Sequence, residues 1–343
     1  MRLFVASLQD GGGAPPGCTP SPEAVAVLSR YTGLTDRETF AICRFVNACV
    51  LDGNLALMDE VFLSGLYTEA NALTGMVSSL GVNNGATHIA GGGFVYDGVA
   101  AYVDSGFKLT PSGVATIADN VSGIILNEFN YGGSVESFYG TRTDINTTDF
   151  IHPNQQDSVG IRLAPLCVRS PISSAHSFKK NELFTMSNVL GANVVFYVNG
   201  ALINTSNSTQ LSPNFPDHNF FIGARNSGTA ATNFVNARIS SLFVGNSNGF
   251  NNAAWSTNLW QCQNELEIGK ADLIDYNVQD KLYDWSNRSL LESQLDELSQ
   301  IIVDNSDAVT TGRSFNIVGN LGISTQAQAN LDTLVANGWV IIQ

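Results

Sequence analysis

Two carboxylates about 5 Å apart would carry retaining glycoside hydrolysis, and alternate positions of one strand would place them on one face. Glu265 and Glu267 alternate beyond the glycine-punctuated middle of the chain, and the densest acidic run is Glu292 to Glu297 in ESQLDE. The pair lies beyond the strand-rich part of the sequence, and the run falls on a helical pattern whose charged side is expected to face water. Glu128 and Glu136, on expected strands, have no acid two residues away. The four histidines, His88, His152, His176 and His218, are scattered through turn-like segments, and no H-E-x-x-H occurs. Gly91-Gly92-Gly93 precedes a strand instead of opening a helix, so it offers no helix-terminal amides to a phosphate. A non-catalytic role is the expectation.

Aromatic side chains are the other chemistry-bearing class, because a sugar ring can stack on them. Tyr131, Phe138, Tyr139, Trp255 and Trp260 lie near glycine-rich or polar segments, and at such positions most aromatics belong to the core. With 16 basic against 30 acidic residues, the net charge of −14 opposes a phosphate backbone, and no nucleic-acid partner is expected. Lys179-Lys180, the nearest basic pair, is answered by Glu182. Only 13% of residues are charged, so Asn, Ser, Thr and Gly must cover much of the surface. No uninterrupted apolar run approaches the eighteen or so residues of a membrane span, and Met1 to Leu8 is too short for a secretory leader. The five cysteines, Cys18, Cys43, Cys49, Cys167 and Cys262, show no regular spacing, so reduced, buried thiols are expected.

Four segments organise the chain: an arm and Gly/Pro linker over 1–20, a helical subdomain over 21–80, a β-rich domain over 81–250, and a mixed end over 251–343. Ser21-Pro22-Glu23 opens one helix and Thr35-Asp36-Arg37-Glu38 is a capping box for a second, ending near Leu51. A third short helix is expected from Leu55 to Phe62. From about Ala86 to Gly245 the pattern alternates with period two. Strands are expected at Ile124–Leu126, Ser134–Phe138, Ser158–Leu163, Asn181–Met186, Val194–Val198, Phe220–Ile222 and Arg238–Val244. Such short strands between Gly, Asn, Ser and Pro turns predict two packed antiparallel sheets. Phe94 to Val103, with a turn at Asp97-Gly98, reads as one hairpin. Val194 to Ile203 reads as another, around the type I′ dipeptide Asn199-Gly200. Beyond Gly249, an irregular apolar stretch holds Trp255 and Trp260, and Ser289-Leu290-Leu291-Glu292 is a capping box for a helix reaching Val303. A strand at Ser314–Val318, a helix at Ser324–Asn337 closed by Gly338, and a strand at Trp339–Ile342 complete the chain.

The order FVYDG…YVD over Phe94–Asp104, FYVNG at Phe196–Gly200, FFIGARN at Phe220–Asn226 and ARISSLFVG at Ala237–Gly245 resembles the laminin-G-like, concanavalin-A-like jelly roll. Leu57 to Phe62 (LMDEVF), Asn71-Ala72-Leu73 and Asn84-Gly85-Ala86-Thr87 resemble bacteriophage virion proteins that carry this domain. The resemblance spans roughly residues 55 to 250. It implies a mainly β protein built on an antiparallel β-sandwich, with the C-terminal unit similar to a leucine-rich repeat. Glycanases on this fold place acids as E-x-D-x-x-E, which is absent here. Calcium sites at the sandwich rim, where the family has them, point to Asp97 and Asp104. The implied role is a virion structural component made in a host cytoplasm, capsid-associated or part of a fibre or tail. It would assemble with itself and with other virion subunits through its terminal regions, and its sandwich loops would face solvent or host-surface glycan. The reading from another class is a bacterial carbohydrate-binding lectin or adhesin module.

Overall fold

Ser21 and Thr35 start the first helices as their side chains dictate. Ser21 Oγ accepts the Ala24 amide, and Thr35 and Glu38 exchange side-chain and backbone bonds in a complete capping box. The computed structural model describes residues 17–130, 136–144, 147–153, 161–164, 172–174, 176, 179–189, 193–207, 214–228, 230–271, 282–286, 288, 290–306, 313–320 and 322–343. The expected arm up to Pro16, Tyr131, Cys167, Ser289 and parts of the expected strands near Ser134 and Ser158 lie outside these residues.

The chain runs through α1 (Pro22–Leu28), α2 (Asp36–Leu51), a single 3-10 turn at Leu55–Leu57, β1 (Met58–Leu63) and α3 (Glu69–Ala72). Strands β2 (Val82–Asn84), β3 (Thr87–Ile89), β4 (Gly93–Asp97), β5 (Tyr102–Asp104), β6 (Asn120–Phe129), β7 (Tyr139–Asp144) and β8 (Thr147–Pro153) follow. Next come β9 (Ile161–Ala164), β10 (Ile172–Ser174), β11 (Glu182–Val189), β12 (Asn193–Val198), β13 (Ala201–Asn207), β14 (Phe221–Ile222), β15 (Arg225–Asn226), β16 (Ala231–Thr232) and β17 (Asn236–Gly245). The last part holds α4 (Asn252–Ile268), β18 (Leu282–Asp284), α5 (Glu292–Asp304), β19 (Ser314–Asn316), α6 (Thr325–Ala336) and β20 (Val340–Ile342).

Among the described residues two large sheets form, antiparallel but for one parallel contact of β15 with β7. The first has the order β13-β12-β11-β6-β17-β4-β3, with β1 also paired to β17. The second has the order β10-β9-β8-β7-β14-β5-β2, with β15 beside β7 and β16 beside β15. Their facing sides make one core, in which Ile124, Leu126, Phe184, Phe196, Ile239 and Leu242 of the first sheet meet Val103, Tyr139 and Ile222 of the second. The alternate residues of the first sheet, Val121, Ile125, Leu183 and Phe243, point the other way. They share a second core with Phe45 and Val46 of α2 and Trp255, Leu259 and Trp260 of α4. The order of layers is therefore helices, first sheet, second sheet. The protein is mainly β, with paired antiparallel sheets.

The β12–β13 hairpin forms as expected, with Asn199 at φ 49° and Gly200 at φ 76°. Other expectations are corrected. Phe94 to Val103 is not a hairpin: β4 pairs with β17 in the first sheet and β5 with β14 in the second, so Asp97-Gly98 begins a crossing between sheets. Leu55 to Phe62 is a helix only for its first turn, and Met58–Leu63 is a strand, because pairing with β17 satisfies its backbone while Val61 and Phe62 fill cores on opposite faces. The stretch around Trp255 is a helix of 17 residues, whose apolar residues lie almost all round because it is wedged between α2 and the first sheet. Cys18 and Cys43 are joined in a disulfide with Cα atoms 6.2 Å apart, contrary to the expectation of reduced thiols. Spacing along the chain says nothing of this proximity, which α1 creates by folding back on α2. Cys49 and Cys262 are buried free thiols.

Helix α5 begins at Glu292, with Leu291 at its N-cap position and the Gln294 side chain accepting the Leu291 amide. At the C-terminal end β18, β19 and β20 form a parallel sheet, faced by α5 and α6 over a third core containing Phe315, Leu298, Leu331 and Leu334. This unit rests on α4. Arg288, stacked on Trp285 at 4.5 Å, donates to Asn181 at 2.7 Å and pairs with Glu267 of α4.

Candidate functional site

The sequence-named acids are committed to structure. Glu265 and Glu267 sit on α4 and not on a strand; Glu265 pairs with Arg37, and Glu267 with Arg238 and Arg288. Glu128 also pairs with Arg238, at 3.3 Å, and Glu136 is buried. Within the ESQLDE run, expected as a solvated face, only part of the helix is so. Asp296 accepts the Ala327 amide and the Ser324 hydroxyl at the start of α6, and Glu297 pairs with Arg37. Packing of α5 against α4 and α6 brought those acids to Arg37 and to the start of α6.

His88 bonds the Leu66 carbonyl through Nε2 at 2.9 Å, and burial pulls its imidazole below the usual value. His176 lies 3.1 Å from both oxygens of buried Glu182. Gly245-Asn246-Ser247-Asn248-Gly249, between β17 and α4, has the G-x-S-x-G spacing of a nucleophilic serine turn. Ser247 is buried, its hydroxyl donates to the Asn188 carbonyl, and it bonds to no imidazole among the described residues. Gly91-Gly92-Gly93 serves close packing: Gly93 has φ 88°, and a Cβ there would stand 2.3 Å from the Ile239 carbonyl oxygen of β17.

The calcium candidates are likewise bound to their own turns. Asp97 Oδ1 accepts the amides of Val99, Ala100 and Ala101 at 2.8–2.9 Å, and these bonds hold its carboxyl below the ordinary range. Asp104 Oδ1 accepts from the Gly106 amide at 2.9 Å and from Asn219 Nδ2 at 3.0 Å. Among the described residues no three His, Cys, Asp or Glu side chains gather into a group that could hold a metal ion. Of the aromatics named from sequence, Phe138, Tyr139, Trp255 and Trp260 are fully buried.

A different constellation forms on the outer face of the second sheet, on which no helix of the described residues packs. Residues directly opposite in an antiparallel ladder share a face. Register places Val82, Asp104, Phe221 and Gly140 in one row across β2, β5, β14 and β7, and Asn84 opposite Tyr102 in the next. Val103, Ile222 and Tyr139 alternate into the core. On the outer side Tyr102 lies against Phe221, ring centroids 4.5 Å apart and planes 31° apart, with Phe234 at 6.2 Å from Tyr102. Phe221 is 8% exposed, Tyr102 and Phe234 are half-buried, and Val82 is 59% exposed. Beside the rings stand half-buried Asp104, the amide of Asn219 and Asn84.

Such a face offers aromatic surface next to hydrogen-bonding groups. Sequence reasoning missed it. Tyr102-Val103-Asp104 does alternate, but Phe220-Phe221-Ile222 is apolar throughout, so no periodicity tells which phenylalanine points outward.

No family model matches the chain, and no curated protein matches it. Solved structures give distant likenesses. A mutant Trypanosoma rangeli sialidase with trans-sialidase activity aligns at 13% identity and TM-score 0.42 over 64% of this chain and 38% of its own. Domain 4 of AbnA, an extracellular arabinanase from Geobacillus stearothermophilus, in complex with arabinotriose, aligns at 12% identity and TM-score 0.40 over 58% of this chain and 98% of its own. The botulinum neurotoxin serotype G binding domain aligns at 12% and 0.39 over 53% and 46%. The chain spans less than two thirds of the sialidase and toxin chains, and at these scores the likenesses support neither a family nor a function.

Proposed function

We propose that this protein is a non-catalytic glycan-binding module whose ligand lies on the outer face of the second sheet. The observation that carries this reading is the Tyr102–Phe221–Phe234 cluster beside Asp104 and Asn219, on the sheet face opposite the helical layer. A saccharide presents an apolar ring face and a rim of hydroxyls, which such a platform complements by stacking and by a carboxylate that accepts and amides that donate or accept hydrogen bonds. The acids that a glycosidase would need are instead paired with arginines or spent on helix caps.

The test is a glycan array probed with the full chain and with Tyr102→Ala. Binding by the parent and its loss in the variant, at unchanged melting temperature, are expected; binding to no glycan, or equal binding by both, would remove the proposal. A reducing-sugar release assay on any bound glycan is expected to show no turnover.

The setting in which the face is displayed is a second proposal. The virion reading rests on the resemblance of Asn71-Ala72-Leu73, of Asn84-Gly85-Ala86-Thr87 and of the segment Leu57 to Phe62. Within that segment Glu60 accepts the amides of Val61, Val77, Ser78 and Ser79, and Asp59 those of Val114 and Ala115, so fold requirements alone account for both acids. The Cys18–Cys43 bridge supports residence outside a reducing cytoplasm, as on a released particle or a cell surface. Mass spectrometry of non-reduced protein from its native source tests this; free Cys18 and Cys43 there would count against it.

A further inference from the structure

The charge around the aromatic platform narrows the ligand further, given the glycan-binding reading above. Asp104 is half-buried on the platform, and only its Oδ1 is engaged in the bonds to Gly106 and Asn219. Lys108, in the segment that follows β5, has its ammonium 3.0 Å from Asp217 and so adds no net positive charge. The whole chain carries −14.

We propose that this face selects uncharged and amino-bearing saccharides and turns away acidic ones, whether sialylated, uronic or sulfated. Asp104 Oδ2 accepts from a ring hydroxyl or an ammonium of the sugar, and Tyr102, backed by Phe221, takes its apolar face. A carboxylate or sulfate set against Asp104 would meet like charge where partial burial weakens solvent screening, and would leave the Asp104 oxygen without a donor. An ammonium gains there twice, from the carboxylate and from the electron-rich ring of Tyr102.

The experiment is titration calorimetry of the full chain with four oligosaccharides of matched length: N-acetylglucosamine, glucosamine, galacturonate and a sialylated lactosamine. The first two are expected to bind at least about tenfold tighter than the acidic pair, the scale of one charge-assisted hydrogen bond. Raising salt should narrow the gap between glucosamine and galacturonate. Asp104→Asn keeps an acceptor oxygen for Gly106 and Asn219, so it should fold, lose about tenfold in glucosamine affinity and admit galacturonate more readily. Acidic sugars binding as tightly as neutral ones, with that binding lost in Tyr102→Ala, would overturn the selectivity and leave the site standing. No binding by any of the four, or binding indifferent to Tyr102→Ala, would overturn both.

Discussion

The two sheets each put aromatic rings near their outer faces, and the fates of those rings differ. Over the first sheet, Trp255 meets Phe243 at 5.1 Å, Phe45 at 5.4 Å and Phe250 at 5.5 Å beneath α2 and α4, and is fully buried. Over the second, Tyr102 and Phe234 stay half-buried beside Asp104. Residue type is the same in both places; what differs is whether a helix closes over the rings. Rings under a helix stabilise the fold, and rings left at the surface are available to a ligand.

The contrast can be broken most severely at Trp255. Trp255→Ala empties the junction of α2, α4 and β17 and is expected to cost about 3–5 kcal/mol in chemical denaturation, against little change for Tyr102→Ala. Equal losses from the two variants would mean that the outer face of the second sheet is core as well.

Next in size is the bridge that fastens the helical layer. Opening Cys18–Cys43 with Cys18→Ser releases a loop of 25 residues, for which chain entropy predicts a loss of about 3.5 kcal/mol. Hydrogen exchange should rise first in α1 and α2 while β5 and β14 keep their protection. Exchange rising equally in both sheets would show that the layers unfold as one unit.

Glu60 ties the start of the sandwich to the 76–79 loop. Glu60→Ala leaves buried amides without acceptors and is expected to cost about 2–3 kcal/mol by thermal denaturation. The smallest effect belongs to Asp97, at the crossing between the sheets. Its carboxyl is held below the ordinary value near 3.8, so the stability it contributes is present above that pH and fades as pH falls through the lower folded value. Asp97→Asn is expected to flatten the part of the acid-stability curve below about pH 4, read by fluorescence.

Local chemistry was legible in the sequence wherever neighbours along the chain settle it. The Thr35–Glu38 box, the Asn199-Gly200 hairpin, the Ser324 start of α6 and Gly338 beyond its end, at φ 86°, all depend on residues within a few positions. Partners far off in sequence decided the rest. Met58–Leu63 became a strand because β17 lies beside it, some 180 residues on. Helix α4 hid its period because both sides are covered, and the Cys18–Cys43 pairing depends on how α1 returns to α2. The aromatic platform draws on β5, β14 and the segment after β16, three places that only the ladder brings together.

The C-terminal parallel unit rests on α4, on the side of the molecule away from the platform. Copies anchored to any support through that end would therefore all aim the outer face of the second sheet, the proposed ligand face, away from it. A weak single contact would then add up across an array, with local concentration doing what one shallow face cannot do alone.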